Sequence, residues 1–332
     1  MTNQSNSSAV SVRDLSFAYG ERKALDSVQL EVPVGEVRGV LGPNGSGKST
    51  LFRILATILP APMGTVSVLG HDVAGRSPEL LSSIGVVFQS AALDRKLTVR
   101  ENLRYGGRMF GLRGSELDQR IDEMLERTNL GDRAATMVEE LSGGLRRRAE
   151  IAKGLLHRPK LLLLDEPSTG LDPGARRDLW SFVRSIDDVT VVFTTHLMDE
   201  ADAADRLTLF DEGRVVAEGT PDELRARIGG DVLEIEADDH DAVRERVRGA
   251  FDLELVAHGA VLRAETSNAP EQIGRMLTLL GDSVRSIRVG RPSLEDVFLH
   301  ETGHRLDVVD PEADTGSKRS RRKKRKQKKE EN

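Results

Sequence analysis

The chain has 332 residues, of which 38% are hydrophobic, enough for two domains with ordinary cores. It contains no cysteine, which excludes disulfides, thiol catalysis and cysteine-ligated metal; any metal must be held by oxygen or imidazole. The formal charge of −6 conceals a basic run of ten Lys or Arg within residues 318–329, and without residues 318–332 the rest carries about −14, too acidic for a general nucleic-acid binder.

Residues 1–9 are polar and expected to be flexible, and MTNQSNSSAV has neither the basic nor the apolar region of a leader. No run approaches the ~18 apolar residues of a spanning helix, so the protein is expected in the cytosol. VSVRDLSFAYG and LDSVQLEVPVG alternate with the two-residue period of half-buried strands and predict a small antiparallel sheet. The apolar runs VRGVLG, IGVVFQ, KLLLLDEP and VTVVFTTH fit parallel strands covered on both faces, with helices between them: a layered α/β core. From about 95 to 150 the chain turns to charged helix formers with Leu117, Ile121, Met124 and Leu125 at helical spacing, which predicts an inserted helical subdomain. Residues 229–303 read as strand, helix, two strands, helix and strand, the βαββαβ order of a ferredoxin-like domain. Residues 304–332, basic from 318, hold too little apolar surface to offset ordering entropy and are expected to be disordered.

Gly42-Pro43-Asn44-Gly45-Ser46-Gly47-Lys48-Ser49, with Thr50 continuing into the apolar run that follows, matches the phosphate-binding loop between a strand and a helix. Its glycines let successive N–H groups point at phosphate oxygens, and the helix start adds its positive dipole end. Lys48 is expected at the β- and γ-phosphates and Ser49 at Mg²⁺. The strand Leu161 to Leu164 ends in Asp165 and Glu166, which places two carboxylates at the ligand-binding edge of a parallel sheet. Asp165 is the expected Mg²⁺ ligand and Glu166 the group that polarises the attacking water.

Leu141-Ser142-Gly143-Gly144, shortly before Asp165-Glu166-Pro167-Ser168-Thr169-Gly170-Leu171-Asp172, resembles the signature and D-loop of ATP-binding cassette (ABC) proteins. The resemblance covers Val10 to about Arg227 and implies a nucleotide-binding domain over 10–228. The fold it implies is an α/β P-loop NTPase cassette with a parallel sheet core, an N-terminal antiparallel β subdomain and an inserted helical subdomain. A small α+β domain and the basic tail follow it.

By the same resemblance Gln89 is a Q-loop residue beside Mg²⁺ and the attacking water, and His196 is the switch histidine at the γ-phosphate. Tyr19 is the aromatic that stacks on adenine. Ser142, Gly143 and Gly144 form a second phosphate-binding end that reaches the nucleotide of another copy, and Asp172 reports between the two sites. The implied assembly is a sandwich of two nucleotide-binding domains, a homodimer or a heterodimer, closed by ATP and opened by hydrolysis.

This chain departs from the common signature in having Leu145 where the family has Gln. Arg146, Arg147 and Arg148 read either as a solvated helix face or as electrostatic support for the phosphate end. Having one cassette and no spanning helix, a transporter of this kind needs a separate transmembrane permease. The resemblance puts its docking groove near Leu93, Leu97, Tyr105 and Phe110, although each taken alone also reads as core. The segment Arg291 to Leu299 resembles the end of the ATPases of ABC-2 type drug, antibiotic and polysaccharide exporters. That implies a peripheral subunit on the cytoplasmic face of the cell membrane.

The alternatives are a soluble ABC ATPase acting on ribosomes or nucleic acid and a binding-only regulator. The basic tail admits three readings: a solvated extension, an anchor to anionic lipid, or a nucleic-acid contact. The first is favoured and no nucleic acid is expected.

Overall fold

The computed structural model describes residues 8–266 and 269–304. Strand β1 (Ser8–Tyr19) turns at Gly20 into the antiparallel β2 (Arg22–Pro33). After β3 (Val37–Leu41) and helix α1 (Lys48–Leu55), the chain returns with β4 (Val66–Val68) and β5 (His71–Asp72) to complete a sheet of order β2-β1-β4-β5. Val10 opposes Val32 and Val12 opposes Leu30, and all four are buried. The strand begins at Ser8, before the expected boundary at 10, because the Ser8 hydroxyl donates to the Val10 and Val32 carbonyls and Ala9 is buried. The flexibility expected of 1–7 lies outside the described residues.

Helix α2 (Pro78–Ser83) leads into β6 (Ile84–Val87). Three helices follow: α3 (Val99–Met109), α4 (Gly114–Arg127) and α5 (Gly143–Leu155). Thr98 and Glu101 close a capping box at the start of α3, and Leu117, Ile121, Met124 and Leu125 form the buried stripe of α4. The chain then alternates β7 (Leu161–Asp165), α6 (Pro173–Arg184), β8 (Thr190–Thr195), α7 (Met198–Ala201), β9 (Arg206–Asp211), β10 (Arg214–Gly219) and α8 (Pro221–Arg225).

The six-stranded sheet runs β10-β9-β3-β8-β7-β6, with every pair parallel except β9 and β10. Side chains alternate across it. Leu161 and Leu163 face the core shared with α1 and the antiparallel sheet, while Leu162 and Leu164 face the core under the helices. Because β3, β8 and β7 are neighbours and parallel, their carboxyl ends share one edge, and that edge carries the candidate site.

The chain continues through β11 (Asp231–Ala237), α9 (His240–Phe251), β12 (Val256–His258), β13 (Val261–Thr266), α10 (Ala269–Leu280) and β14 (Val284–Gly290). These strands form an antiparallel sheet of order β12-β13-β11-β14, with Leu233 and Ile235 packed against Val243, Val247, Met276 and Leu280 of the helices. The final helix α11 (Leu294–Thr302) behaves differently. Its Leu294, Val297 and Phe298 join the core beneath the six-stranded sheet, against α7, α8 and β10. Asp296 pairs with Arg263 of β13, and Glu301 with Arg227 at 3.2 Å. Among the described residues no helix is long and apolar enough to cross a membrane. Of the tail expected to be disordered, 304–332, His304 is placed, its Nε2 2.9 Å from an Asp211 carboxylate oxygen, and 305–332 lie outside the described residues.

Candidate active site

The loop after β3 turns sharply into α1. Gly47 caps the helix at φ 106°, in the left-handed region, and a Cβ there would come 2.5 Å from the Ala24 carbonyl oxygen. A Cβ on Gly42 would come 2.2 Å from the carbonyl oxygen of Phe210. Both positions therefore need glycine for space, and Gly47 needs it for conformation as well.

Lys48 lies at the start of α1 and is only 3% exposed. Its ammonium donates to the carbonyls of Gly42 at 2.7 Å and Pro43 at 2.8 Å. Burial pulls its pKa down to about 8, against the opposing pull of the Glu166 and Asp165 carboxylates. A cleft of about 350 Å³ opens over this loop, lined by Tyr19, Asn44, Gly45, Lys48, Ser49, Thr50 and Glu166 among others. Ser46 sits beneath it with its hydroxyl buried. Tyr19, at the end of β1, is 46% exposed and holds its ring edge-on to Phe17 with centroids 5.1 Å apart.

The neighbouring strand ends supply the acidic groups. Asp165 pairs in register with Thr194, whose hydroxyl donates to its carboxylate at 2.6 Å. Burial raises the Asp165 pKa, opposed by the Thr194 hydrogen bond; the Glu166 charge raises it further and Arg53 and Lys48 lower it. Glu166 sits in the left-handed region at φ 43°, with its N–H held by the Thr194 carbonyl at 3.1 Å and hydroxyl at 3.0 Å. Its carboxylate accepts from Gln89 Nε2 at 2.8 Å and from the Thr169 hydroxyl at 3.2 Å. His196 Nδ1 lies 3.3 Å from the other oxygen, without hydrogen-bond alignment. Gln89, Glu166 and His196, which arrive from three strand ends, thus meet around one carboxylate.

Ser142, Gly143 and Gly144 stand apart from this cluster at the start of α5. The Ser142 side chain caps the helix by accepting from the Leu145 N–H at 3.4 Å, and Ser142 and Gly143 are exposed. Leu145, the departure from the common signature, packs half-buried against the main core. Asp172 caps α6, its carboxylate accepting from the N–H groups of Gly174 and Ala175 at 3.0 Å each. The Ala175 N–H leads in holding its pKa below the usual carboxylate range.

The structure corrects the reading of the three arginines. Arg147 is neither solvated nor aimed at the phosphate end. It is buried and bonded to the Phe88, Asp165 and Pro167 carbonyls and to Glu150. Arg146 donates to the Leu141 carbonyl at 3.1 Å, and Arg148 lies 3.6 Å from Asp178. Sequence reasoning singled out Arg147 but not its contacts, and it did not assign site roles to Glu150, Thr169 and Thr194. The available signals were an Arg and a Glu three apart in a helix following the signature, and a Thr two residues before His196. Of the suggested docking residues, Leu93 is core, whereas Tyr105 and Phe110 are exposed. Phe110 stacks on His157 at 3.7 Å beside a mainly apolar groove of about 340 Å³, lined also by Leu81, Ile84 and Phe88.

Comparison with known proteins places the chain in a family. Residues 25–169 match the family described as ABC transporter, and residues 219–302 match the ATP-binding protein DrrA1-3-like C-terminal domain. The chain is 41% identical over 309 residues to the daunorubicin resistance ATP-binding protein DrrA3 of Streptomyces coeruleorubidus, covering 89% of this chain and 96% of that one. It is 40% identical over 302 residues to the Nod factor export ATP-binding protein I of Sinorhizobium fredii, covering 90% and 87%. A dimeric ATP-binding cassette in a post-hydrolysis state, bound to ADP and Pi, superposes with a TM-score of 0.56 at 29% identity, covering 64% of this chain and 98% of that one. The chain belongs to the ATP-hydrolysing subunits of ABC transporters, among the exporter ATPases of the ABC-2 kind.

Proposed function

We propose that the chain hydrolyses Mg-ATP at composite sites between two nucleotide-binding domains and so drives a separate transmembrane permease from the cytoplasmic face of the membrane. The observation that carries this reading is the convergence on Glu166, whose carboxylate is held by Gln89 and Thr169 with His196 at its other oxygen. Held at one oxygen, Glu166 is placed to accept a proton from a water attacking the γ-phosphate, and His196 to donate to that phosphate. Lys48 exchanges the Gly42 and Pro43 carbonyls for β- and γ-phosphate oxygens, and the N–H groups of Gly45, Gly47, Lys48 and Ser49 cradle the chain of phosphates. Tyr19 offers an exposed ring at the mouth of the cleft for stacking on adenine.

Mg²⁺ fits these donors. The Ser49 hydroxyl, the Asp165 carboxylate and the Gln89 amide oxygen, whose Nε2 is the atom that donates to Glu166, are the hard oxygen donors that this ion takes alongside phosphates and water. Ser49, Asp165 and Gln89 are its protein contacts in this reading. When bound, the ion neutralises charge developing between the β- and γ-phosphates. The exposed Ser142 and Gly143, with the half-buried Gly144, address the nucleotide of the partner domain, in a homodimer or heterodimer, with Asp172 beside that interface. The dimeric relative bound to ADP and Pi supports the sandwich. The export named for the Nod factor relative supports the permease and the direction of transport. The groove beside Phe110 and the exposed Tyr105 offer the permease an apolar seat.

The test is a comparison of tagged wild type and Glu166→Gln isolated from gently solubilised membranes. A multi-spanning protein should accompany both in near-equal amount. The variant should lose hydrolysis by roughly 100-fold or more and accumulate an ATP-bound dimer on gel filtration. Full hydrolysis by the variant would remove Glu166 as the base, and absence of any membrane protein would remove the permease.

A further inference from the structure

Arg147 lies one turn into α5, three residues beyond Gly144, yet its guanidinium points into the protein and is buried. Nε donates to the Pro167 carbonyl at 2.7 Å, Nη1 to that of Phe88 at 2.6 Å and Nη2 to that of Asp165 at 3.0 Å. Glu150 accepts from Nη1 at 2.6 Å and balances the buried charge.

The positions of those carbonyls matter. The Phe88 carbonyl belongs to the residue immediately before Gln89, and those of Asp165 and Pro167 lie on either side of Glu166. One planar fork therefore fixes the backbone on both sides of Glu166 and at the approach to Gln89, and the two side chains meet at 2.8 Å. The fork rides on the helix whose N-terminal end carries Ser142, Gly143 and Gly144.

We propose that Arg147 is the positioning residue that couples the two ATP sites of the dimer. It transmits the placement of the signature end, which meets the partner's nucleotide, to the Gln89 and Glu166 pair, which serves this chain's own. The inference rests on the sandwich reading above. A guanidinium is suited to the task because it donates along several fixed directions at once, whereas an ammonium concentrates its charge at one point and cannot hold three separated carbonyls in a fixed relation. Displacing Glu166 by a fraction of its contact distance misaligns the water while leaving the phosphate cradle of residues 42–50 intact.

The test uses Arg147→Lys in the full chain, which keeps a cation beside Glu150. We expect kcat to fall roughly 10- to 100-fold, with KM and the affinity for a fluorescent ATP analogue within about threefold of wild type. Because lysine leaves part of the set of three buried carbonyls without a donor, the melting temperature should fall, and turnover is therefore read per folded protein. The double variant Ser142→Ala/Arg147→Lys should be no slower than the slower single variant, because both act on one path. Unchanged kcat overturns the proposal. So does a lower melting temperature with full turnover in the folded fraction, which marks a purely structural arginine, and so do multiplied effects in the double variant. If the lysine variant does not fold, Arg147→Gln/Glu150→Gln, which leaves no buried charge unpaired, is held to the same outcomes. Failure of the parent reading is separate, since it shows as an active Glu166→Gln protein.

Discussion

At the scale of single residues, Lys48 shows how burial prepares a cation for an anionic ligand. Burial pulls its pKa to about 8, so near that pH the ammonium is half deprotonated in the free protein. Triphosphate oxygens brought against it favour the charged form and raise the pKa. Binding therefore takes up protons, most strongly between the free-protein pKa near 8 and the higher pKa of the bound state. At pH 8 we expect about half a proton per site from Lys48, read as the difference in binding enthalpy between two buffers of unlike ionisation enthalpy. Lys48→Met should abolish the uptake, and identical heats in both buffers for wild type would contradict the assignment. Glu166 illustrates the opposite economy. It holds a left-handed φ of 43° that a non-glycine residue adopts reluctantly, and the Thr194 bonds keep its N–H in place so that the carboxylate faces Gln89 and His196.

At the scale of elements, α5 carries two functions at its two faces. The exposed end presents Ser142 and Gly143, while the buried side sends Arg147 and Glu150 to the strand ends. The Ser142 cap is weak, its bond to the Leu145 N–H being 3.4 Å long. Ser142→Ala should therefore cost less than the ~1 kcal/mol typical of a lost cap, while lowering ATP turnover at the composite site. Paired melting and ATPase measurements check this, and a large melting shift with unchanged turnover would make Ser142 a cap and nothing more. The stripe of α4 and the leucines of β7 were legible from periodicity, because a core face imposes its spacing on the sequence. The inward turn of Arg147 was not legible. An arginine within a run of three has the same local pattern whether it meets water or distant carbonyls.

At the scale of the whole molecule, α11 ties the C-terminal sheet to the cassette. Phe298 is fully buried in the main core, and Asp296 reaches back to Arg263 on β13. Phe298→Ala removes a large side chain from a packed site and should cost about 3–5 kcal/mol. Thermal unfolding of the full chain measures it. If the stability of the cassette is unchanged, α11 belongs to the small domain alone. The sequence resemblance of residues 291–299 gave that segment a kinship, but not its place under α7, α8 and β10.

By itself the sequence determined the class of chemistry, the α/β core and the order βαββαβ of the accessory domain. Phosphate loops, capping residues and hydrophobic periods are local, and their physics acts between residues a few positions apart. It also named Lys48, Glu166, Gln89 and His196 as a group. Only the tertiary structure decided how they meet, because Gln89, Glu166 and His196 are brought to one carboxylate by the lateral order of β6, β7 and β8. The same holds for Arg147 and α11. Each acts through contacts with residues distant in the chain, and such contacts leave no spacing in the sequence for a local reading to find.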